Sequence, residues 1–290
     1  MENKYPNIPT NDKEAYMIFE NYNDLYNKLL LSQLQNLDAA PVGITPIEFP
    51  VIIKPIINLY GMSNGLKKIN NIEEFRKEYN YGMFWQKYLD GTQYNIDINM
   101  KNGKIIQYFC VISEQDKDGM FKYHYYEKKY NLSEKFYNFI QKILYNYTGF
   151  VNVEIINDYI IELHLRLNGD LFLYSEQNID DMVNHKEIKV NNTCFFPIFI
   201  NKYLNVNISK FLDTLNIDYN LDGTICNNNK RLLYFRHNNL EEGIEIQNKI
   251  YKHVNNYIYQ DKTCNFFFYL MSFLMKLPRL KIFAYSFSNL

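Results

Sequence analysis

One short stretch, residues 150–169, constrains the fold of this chain more than any other. Apolar and polar residues alternate on both sides of an Asn-Asp pair, which predicts a β-hairpin. Glu162, His164 and Arg166 are two residues apart, so a strand would place them on one face. Glu154 lies on the partner strand. Such groups can hold a divalent metal against a polyphosphate, because Mg²⁺ prefers hard oxygen ligands and arginine binds phosphate oxygens. A solvated hairpin face with a cross-strand salt bridge is the alternative interpretation.

The two glutamates share one face of the hairpin only under a geometric condition. With a strict two-residue loop, Ile156 would pair with Tyr159, and Glu154 would lie opposite Ile161. Glu154 and Glu162 would then point to opposite faces. We therefore predict an odd-length loop or a β-bulge in this hairpin. Without one, Glu154 would be a structural residue.

Three further motifs precede the hairpin. The run FPVIIKP, residues 49–55, is an apolar β-branched segment that ends near Lys54, and a buried strand seldom carries a lone lysine without a partner. The segment YGMSNG, residues 60–65, is a loop that can turn backbone N–H groups toward phosphates. It matches neither the P-loop pattern nor the dinucleotide fingerprint. The block FWQKYLDG, residues 84–91, predicts a strand that ends in a turn.

These motifs together resemble the ATP-grasp superfamily. The matched segments are FPVIIKP, YGMSNG, FWQKYLDG and the hairpin with VNVE and IIELHLR, in the correct order over about residues 45–175. The resemblance implies an α+β fold in which two subdomains grip the nucleotide, with ATP and Mg²⁺ as cofactors. The pattern resembles uncharacterised ATP-grasp proteins more than the well-known carboxylases or D-Ala–D-Ala ligases, and it implies a carboxylate–amine or carboxylate–thiol ligase.

The resemblance also implies roles for individual residues. Lys54 would contact the phosphate and the adenine of the nucleotide, although a snorkelling strand-end lysine is the alternative. Glu154 and Glu162 would hold Mg²⁺. His164 stands where many relatives have an asparagine and would bind metal or phosphate. Arg166 would neutralise charge on the γ-phosphate or on an acyl phosphate.

Two more sets of residues follow from the same resemblance. The phosphate-covering loop would be formed by Gly61, Ser63, Asn64 and Gly65. The hinge between the subdomains would be formed by Gln86, Lys87 and Leu89. At the hinge the backbone would recognise the edge of adenine, and the side chain of Lys87 would contact the exocyclic side of the base. An ordinary β–α turn is the alternative for the loop.

Composition excludes several classes of protein. The 290 residues carry a net charge of −1, which gives no broad electrostatic case for nucleic-acid binding. The 4 cysteines are far apart and the 5 histidines are scattered, so a zinc site is not expected. The first residues lack an apolar signal region, which favours a cytoplasmic protein with reduced thiols. The longest apolar stretch, residues 266–275, is too short to span a bilayer.

We divide the chain into three parts. Residues 1–48 are an N-terminal segment with one helix over about residues 11–36, residues 49–185 are the ATP-grasp core, and residues 186–290 are a C-terminal α+β extension packed on the core. Hydrophobic periodicity predicts strands near 105–112, 121–126, 194–200 and 232–237, and helices over about 71–79, 132–147 and 240–256.

The N-terminal part is short for the family. An ATP-grasp enzyme usually carries an α/β lobe before its lysine strand, and fewer than 50 residues precede that strand here. The C-terminal part or a protein partner would then supply the acceptor site, or catalysis would be lost.

The expected function is an ATP- and Mg²⁺-dependent ligase. It would activate a small-molecule carboxylate as an acyl phosphate and pass the acyl group to an amine or a thiol. Nucleic-acid and membrane partners are not expected. A small-molecule kinase on the same scaffold and a nucleotide-binding or structural protein without turnover are the alternatives. A plain α+β interaction module would require all four motif matches to be coincidences.

Overall fold

Two antiparallel β-sheets form the framework. The computed structural model describes residues 8–9, 11–60, 65–78, 80–115, 120–168, 173–190, 192–200, 207–223, 225–226 and 229–256. The small sheet comprises β1 (Ala39–Pro41), β2 (Val51–Pro55), β3 (Lys67–Ile69) and β4 (Met83–Lys87). Its strand order is β1-β4-β2-β3. The lysine strand β2 therefore lies inside this sheet.

The large sheet takes strands from most of the chain. Its strands are β5 (Gln93–Lys101), β6 (Lys104–Gln115), β7 (Phe121–Tyr126), β8 (Gly149–Ile156), β9 (Tyr159–His164), β10 (Cys194–Ile200), β11 (Asp218–Leu221), β12 (Ile225–Cys226) and β13 (Asn229–His237). The order is β11-β13-β10-β7-β6-β5-β8-β9, and β12 pairs with β13. Because β10 pairs with β7, the sheet is continuous across residues 185 and 186, where we place a domain boundary. That boundary stays a prediction.

Seven α-helices are described. They are α1 (Asp12–Ile18), α2 (Lys28–Leu34), α3 (Ile72–Phe75), α4 (Glu134–Ile143), α5 (Glu176–Val183), α6 (Ser209–Asp213) and α7 (Leu240–Asn255), and a 3-10 helix, Glu20–Tyr26, separates α1 from α2. The helices predicted over about 71–79, 132–147 and 240–256 correspond to α3, α4 and α7. The predicted strands over 105–112, 121–126, 194–200 and 232–237 correspond to β6, β7, β10 and β13.

The single helix predicted over about residues 11–36 is wrong. The segment instead folds as α1, the 3-10 helix and α2. Asparagine caps begin two of these pieces, α1 and α2. The side chain of Asn11 accepts a hydrogen bond from the Glu14 amide, and that of Asn27 accepts one from the Leu30 amide. Each asparagine has extended backbone and caps a new helix, as its short polar side chain favours.

Strand β5 shows how the sheet separates its core from a polar face. Ile96 and Ile98 are fully buried and pack with α4 and the N-terminal helices. Asn95, Asp97 and Asn99 alternate with them, because successive side chains of a strand point to opposite faces. These three polar side chains are also buried, with exposed fractions of 2 to 4%. A buried polar face needs partners, and this face carries the site described below.

Helix α7 covers the far end of the large sheet. Its buried side chains Ile250 and Val254 pack against Phe196, Leu233 and Phe235 of β10 and β13. Among the described residues, no helix is long and apolar enough to cross a membrane. The apolar stretch 266–275 lies outside the described residues.

Candidate active site

The hairpin of β8 and β9 contains the predicted bulge. Asn157 and Asp158 both have positive φ, 51° and 61°, as a tight two-residue hairpin turn requires. Beyond the turn the register shifts, and Glu154 lies directly opposite Glu162. The prediction of a bulge is therefore confirmed. The extra residue is Ile161, because a bulge places two residues of one strand opposite one of the other.

The bulge also creates the contact of the strand lysine. Lys54 Nζ donates to the carbonyl of Ile161 at 2.9 Å. The Lys54 side chain is only 6% exposed. Burial lowers the pKa of Lys54 to about 8, and Lys28 adds to this effect, while Glu162 and Glu154 oppose it. Among the described residues, no carboxylate lies within ion-pair distance of Lys54, whose ammonium group instead donates to the carbonyl of Ile161.

Glu154, Glu162 and His164 form a cluster of possible metal ligands. Their ligand atoms all lie within 4.8 Å of one another. Gln93 donates to Glu154 Oε2 at 2.9 Å. Burial, and then the charge of Glu162, raise the pKa of Glu154. Burial alone would raise the pKa of Glu162 as well, but Lys28 and other cations hold it below its usual value. Because a divalent cation would relieve this repulsion between carboxylates, the donor set fits Mg²⁺.

Lys28 belongs to the site although our sequence analysis missed it. Its Nζ lies 2.6 Å from Glu162 Oε1, and the side chain is 7% exposed. Its backbone N–H donates to Ile56, which follows the lysine strand β2. A lysine in the first turn of a helix opposes the helix dipole. That unfavourable position after the Asn27 cap is a signal that could have identified it.

Asp12 is a second residue that the sequence analysis missed, and its carboxylate binds His164 and Arg166. Its carboxylate lies 3.0 Å from His164 Nδ1 and accepts from Arg166 Nη2 at 2.8 Å. Arg166 also donates to the carbonyl of Leu167 at 2.9 Å. Burial opposes ionisation of Asp12, but His164 and Arg166 hold its pKa below the usual 3.8. Arg166 is therefore already paired in this structure, and its predicted phosphate contact stays a prediction.

Asp97 anchors the segment after Arg166. It accepts hydrogen bonds from the Asn168 amide at 2.8 Å and the Tyr174 hydroxyl at 2.9 Å. Asn152 donates to it at 3.0 Å. Burial raises the pKa of Asp97, while these hydrogen bonds oppose the rise. The alternation of β5 could have indicated this buried carboxylate.

The predicted hinge lies at the end of β4. Gln86 is 3% exposed, and its side-chain oxygen accepts from the Ser32 hydroxyl at 3.1 Å. Lys87 is exposed, with its Nζ 3.7 Å from Glu48. Of the phosphate-loop residues, Gly65 is described and has a φ of 80°, in the region that favours glycine. Gly61, Ser63 and Asn64 lie outside the described residues.

A cavity of about 510 Å³ lies between the two sheets, and most of the side chains described above line it. Helix α2 contributes Lys28 to the lining, and the small sheet contributes Lys54 and Gln86. The large sheet contributes Glu154 and Glu162. Leu89 also lines it, and its role in a hinge stays a prediction. His164 and Arg166 are not among the described residues that line the cavity. The lining of the cavity therefore includes the carboxylates of Glu154 and Glu162, the ammonium groups of Lys28 and Lys54, and residues of the predicted hinge.

Comparison with solved structures identifies the fold. The chain is 14% identical to an N5-carboxyaminoimidazole synthetase from Staphylococcus aureus complexed with ADP, with a TM-score of 0.59 over 85% of this chain and 78% of that chain. An L-amino acid ligase from Bacillus licheniformis is 13% identical, with a TM-score of 0.56 over 86% and 77% of the two chains. A carboxyaminoimidazole ribonucleotide synthase from Aspergillus clavatus complexed with ATP is 11% identical, with a TM-score of 0.54 over 82% and 74%.

The chain has the ATP-grasp fold. The α+β architecture expected from the resemblance is thereby confirmed. No family model matches the sequence, and no curated protein matches it. At these low identities the likeness establishes the fold alone, so the activity of the chain rests on its own residues.

Proposed function

We propose that this chain is an ATP- and Mg²⁺-dependent ligase that activates a carboxylate as an acyl phosphate and transfers the acyl group to an amine or a thiol. One observation carries the proposal. Glu154 and Glu162 face each other across a bulged hairpin, on the wall of a cavity that also holds Lys28 and Lys54. The solved structures with this fold include chains complexed with ATP and ADP and an L-amino acid ligase, which supports the proposal.

The side chains divide the work between binding and charge neutralisation. Lys28 and Lys54 would place positive charge beside the phosphates, and Gln86 and Leu89 would lie at the adenine end of the cavity. Glu154 and Glu162 would hold Mg²⁺, which supplies further neutralisation of the phosphate charge when it is bound. Phosphoryl transfer needs little covalent chemistry from a protein, since positioning and electrostatic stabilisation supply most of the rate.

The bond changes of the proposed reaction need no protein nucleophile. A substrate carboxylate oxygen attacks the γ-phosphorus, the bond to the bridging oxygen breaks, and ADP leaves. The acceptor nitrogen or sulfur then attacks the acyl carbon, and inorganic phosphate leaves. A protein partner that supplies an N-terminal lobe gains no support from the comparisons.

Nucleotide binding without turnover is a second candidate function, and one observation favours it. The guanidinium of Arg166 donates to Asp12 at 2.8 Å, and Arg166 is not among the described residues that line the cavity. A phosphate contact would require this pair to separate, and breaking a buried ion pair is costly. A chain that never separates it would bind the nucleotide but would not stabilise the transferred phosphoryl group.

Hydroxylamine trapping tests the proposal without knowledge of the acceptor. The protein is incubated with ATP, Mg²⁺ and a panel of amino acids and other carboxylic acids, and hydroxylamine converts any acyl phosphate to a hydroxamate. We expect hydroxamate and ADP in equal amounts with at least one acid. A phosphorylated metabolite in place of hydroxamate would indicate a kinase, and ATP binding with neither product would favour the second candidate.

A matched pair of variants controls the experiment. Glu162→Gln removes a carboxylate that pairs with Lys28 in the cavity, whereas Glu78→Gln removes one that pairs with Lys67 outside it. The proposal predicts that only Glu162→Gln loses hydroxamate formation. Equal activity of the two variants would refute the role of the carboxylate pair.

A further inference from the structure

A buried serine–histidine pair lies on the cavity side of the large sheet, apart from the carboxylate pair. Ser113 of β6 pairs in register with His124 of β7. The Ser113 hydroxyl oxygen lies 2.8 Å from His124 Nδ1, and Asn95 Nδ2 donates to the same oxygen at 2.7 Å. All three side chains are at most 6% exposed. Ser113 nevertheless lines the cavity between the two sheets.

The tautomer of His124 sets the direction of the bond within the pair. The Asn95 amide nitrogen can only donate, so the Ser113 oxygen accepts that bond. In the tautomer whose Nδ1 carries no hydrogen, the Ser113 hydroxyl donates to His124 Nδ1. A hydroxyl that donates to an imidazole nitrogen is the arrangement in which a base activates a serine nucleophile.

The pair is continuous with the carboxylate end of the cavity. Asn95 of β5 pairs directly with Glu154 of β8, so polar side chains run from Glu154 through Asn95 and Ser113 to His124 across four adjacent strands. Ser113 is two strands from Glu154, about 10 Å between backbones. Under the proposed function, the electrophile in this cavity is the terminal phosphoryl group of the nucleotide.

We propose that Ser113 is a nucleophile that takes the terminal phosphoryl group of a nucleoside triphosphate bound in the cavity, with His124 as its base. The inference rests on the proposed function, because it needs the nucleotide in this cavity. The bond between Ser113 Oγ and the γ-phosphorus forms, and the bond from that phosphorus to the β,γ-bridging oxygen breaks. The nucleoside diphosphate leaves, and the serine proton moves to His124 Nδ1. The product is a phosphoserine at position 113.

Covalent labelling of the full chain tests the inference. The protein is incubated with ATP labelled at the γ-phosphate and Mg²⁺, and its intact mass and the labelled peptide are determined. We expect a mass increase of one phosphoryl group that maps to Ser113. Ser113→Ala should abolish the label, and His124→Gln should slow labelling about 100-fold, since a general base contributes at least that factor. Thr148→Ala, which removes an exposed hydroxyl outside the cavity, should label as wild type does.

Nucleotide binding distinguishes failure of the inference from failure of the proposed function. The ATP-induced shift in melting temperature is measured on wild type and on each variant, and Ser113→Cys replaces Ser113→Ala if the alanine variant does not fold. A shift without label would overturn the inference and leave the proposed function standing. Label that persists in Ser113→Ala, or an unchanged rate in His124→Gln, would also overturn it. Neither shift nor label would overturn both.

Discussion

Replacing Lys54 with methionine should stabilise the protein and abolish its affinity for ATP. The lysine lies in the wall of the cavity at 6% exposure, and burial lowers its pKa from 10.5 to about 8. Methionine matches the length of the lysine stem without the charge. The variant therefore removes the cost of a buried cation and, with it, the group that would contact phosphate.

The magnitude follows from the difference between the two pKa values. A difference between 10.5 and about 8 corresponds to about 3 kcal/mol, because one pKa unit is 1.36 kcal/mol. Methionine also loses the hydrogen bond to the carbonyl of Ile161, which we set at about 1.5 kcal/mol. The net expectation is a gain of about 1.5 kcal/mol, or roughly 3 °C in melting temperature.

The gain should depend on pH with a definite sign. The pKa of Lys54 is lower in the folded than in the unfolded chain, so the cost of the charge is complete below about pH 8. Between about pH 8 and 10.5 the folded protein loses this proton while the unfolded chain keeps it, and the cost declines. The advantage of Lys54→Met should therefore disappear by about pH 9.5.

Urea denaturation of wild type and Lys54→Met at pH 7 and at about pH 9.5 checks this reasoning, with ATP titrations on both proteins. Lys142→Met is a matched control, because Lys142 is exposed and lies on helix α4, and it is not among the residues that line the cavity. It should change neither stability nor ATP affinity appreciably. A destabilised Lys54→Met at pH 7, or a gain that is independent of pH, would refute the argument from burial.

The affinity for ATP should fall as pH rises above about 8, because the free protein must then take up a proton at Lys54 to bind phosphate. Titration calorimetry in two buffers of different ionisation enthalpy would detect this proton uptake. Binding without proton uptake would contradict the role of the lysine. Asp12→Asn should lower the free energy of unfolding by about 3 kcal/mol at pH 7, because it leaves the buried Arg166 without its carboxylate. The loss of stability should shrink as pH falls below about 4, because the pKa of Asp12 is lower in the folded than in the unfolded chain. Urea titrations of both proteins at pH 7 and below about pH 4 measure this change. An equal loss at both pH values would contradict the role of the ion pair. Gly243→Ala in helix α7 should destabilise the protein by about 2 kcal/mol. The added Cβ would overlap the buried ring of Phe196 on β10, which costs about 3 kcal/mol, while alanine stabilises a helix by roughly 1 kcal/mol relative to glycine. An unchanged or raised denaturation midpoint would contradict this packing.

The hairpin shows what alternation in a sequence can establish. Period 2 alone determined that Glu154 and Glu162 share a face only with a bulge or an odd-length loop, and the bulge is present. The same rule did not identify the partner of Lys54. The carbonyl of Ile161 is turned toward Lys54 by the bulge itself, and the position of a bulge depends on packing that no local pattern records.

The cation and the acid that the N-terminal segment contributes were missed because no motif records their distant partners. Lys28 precedes Glu162 by more than a hundred residues, and Asp12 also precedes Arg166 by more than a hundred. The sequence predicts one helix over this segment and no site residue within it. Its division into shorter pieces at Asn27 is what places Lys28 against the hairpin, so the wrong helix and the missed lysine have one cause.

The most direct test of the central claim is the effect of Mg²⁺ on ATP affinity. Titration calorimetry measures the dissociation constant of ATP with and without Mg²⁺ for wild type and for Glu162→Gln. The account predicts that Mg²⁺ strengthens binding at least about tenfold, or about 1.4 kcal/mol, in wild type and has little effect in the variant. ATP binding that is equally dependent on Mg²⁺ in both proteins, or no binding to wild type, would contradict the assignment of this cavity.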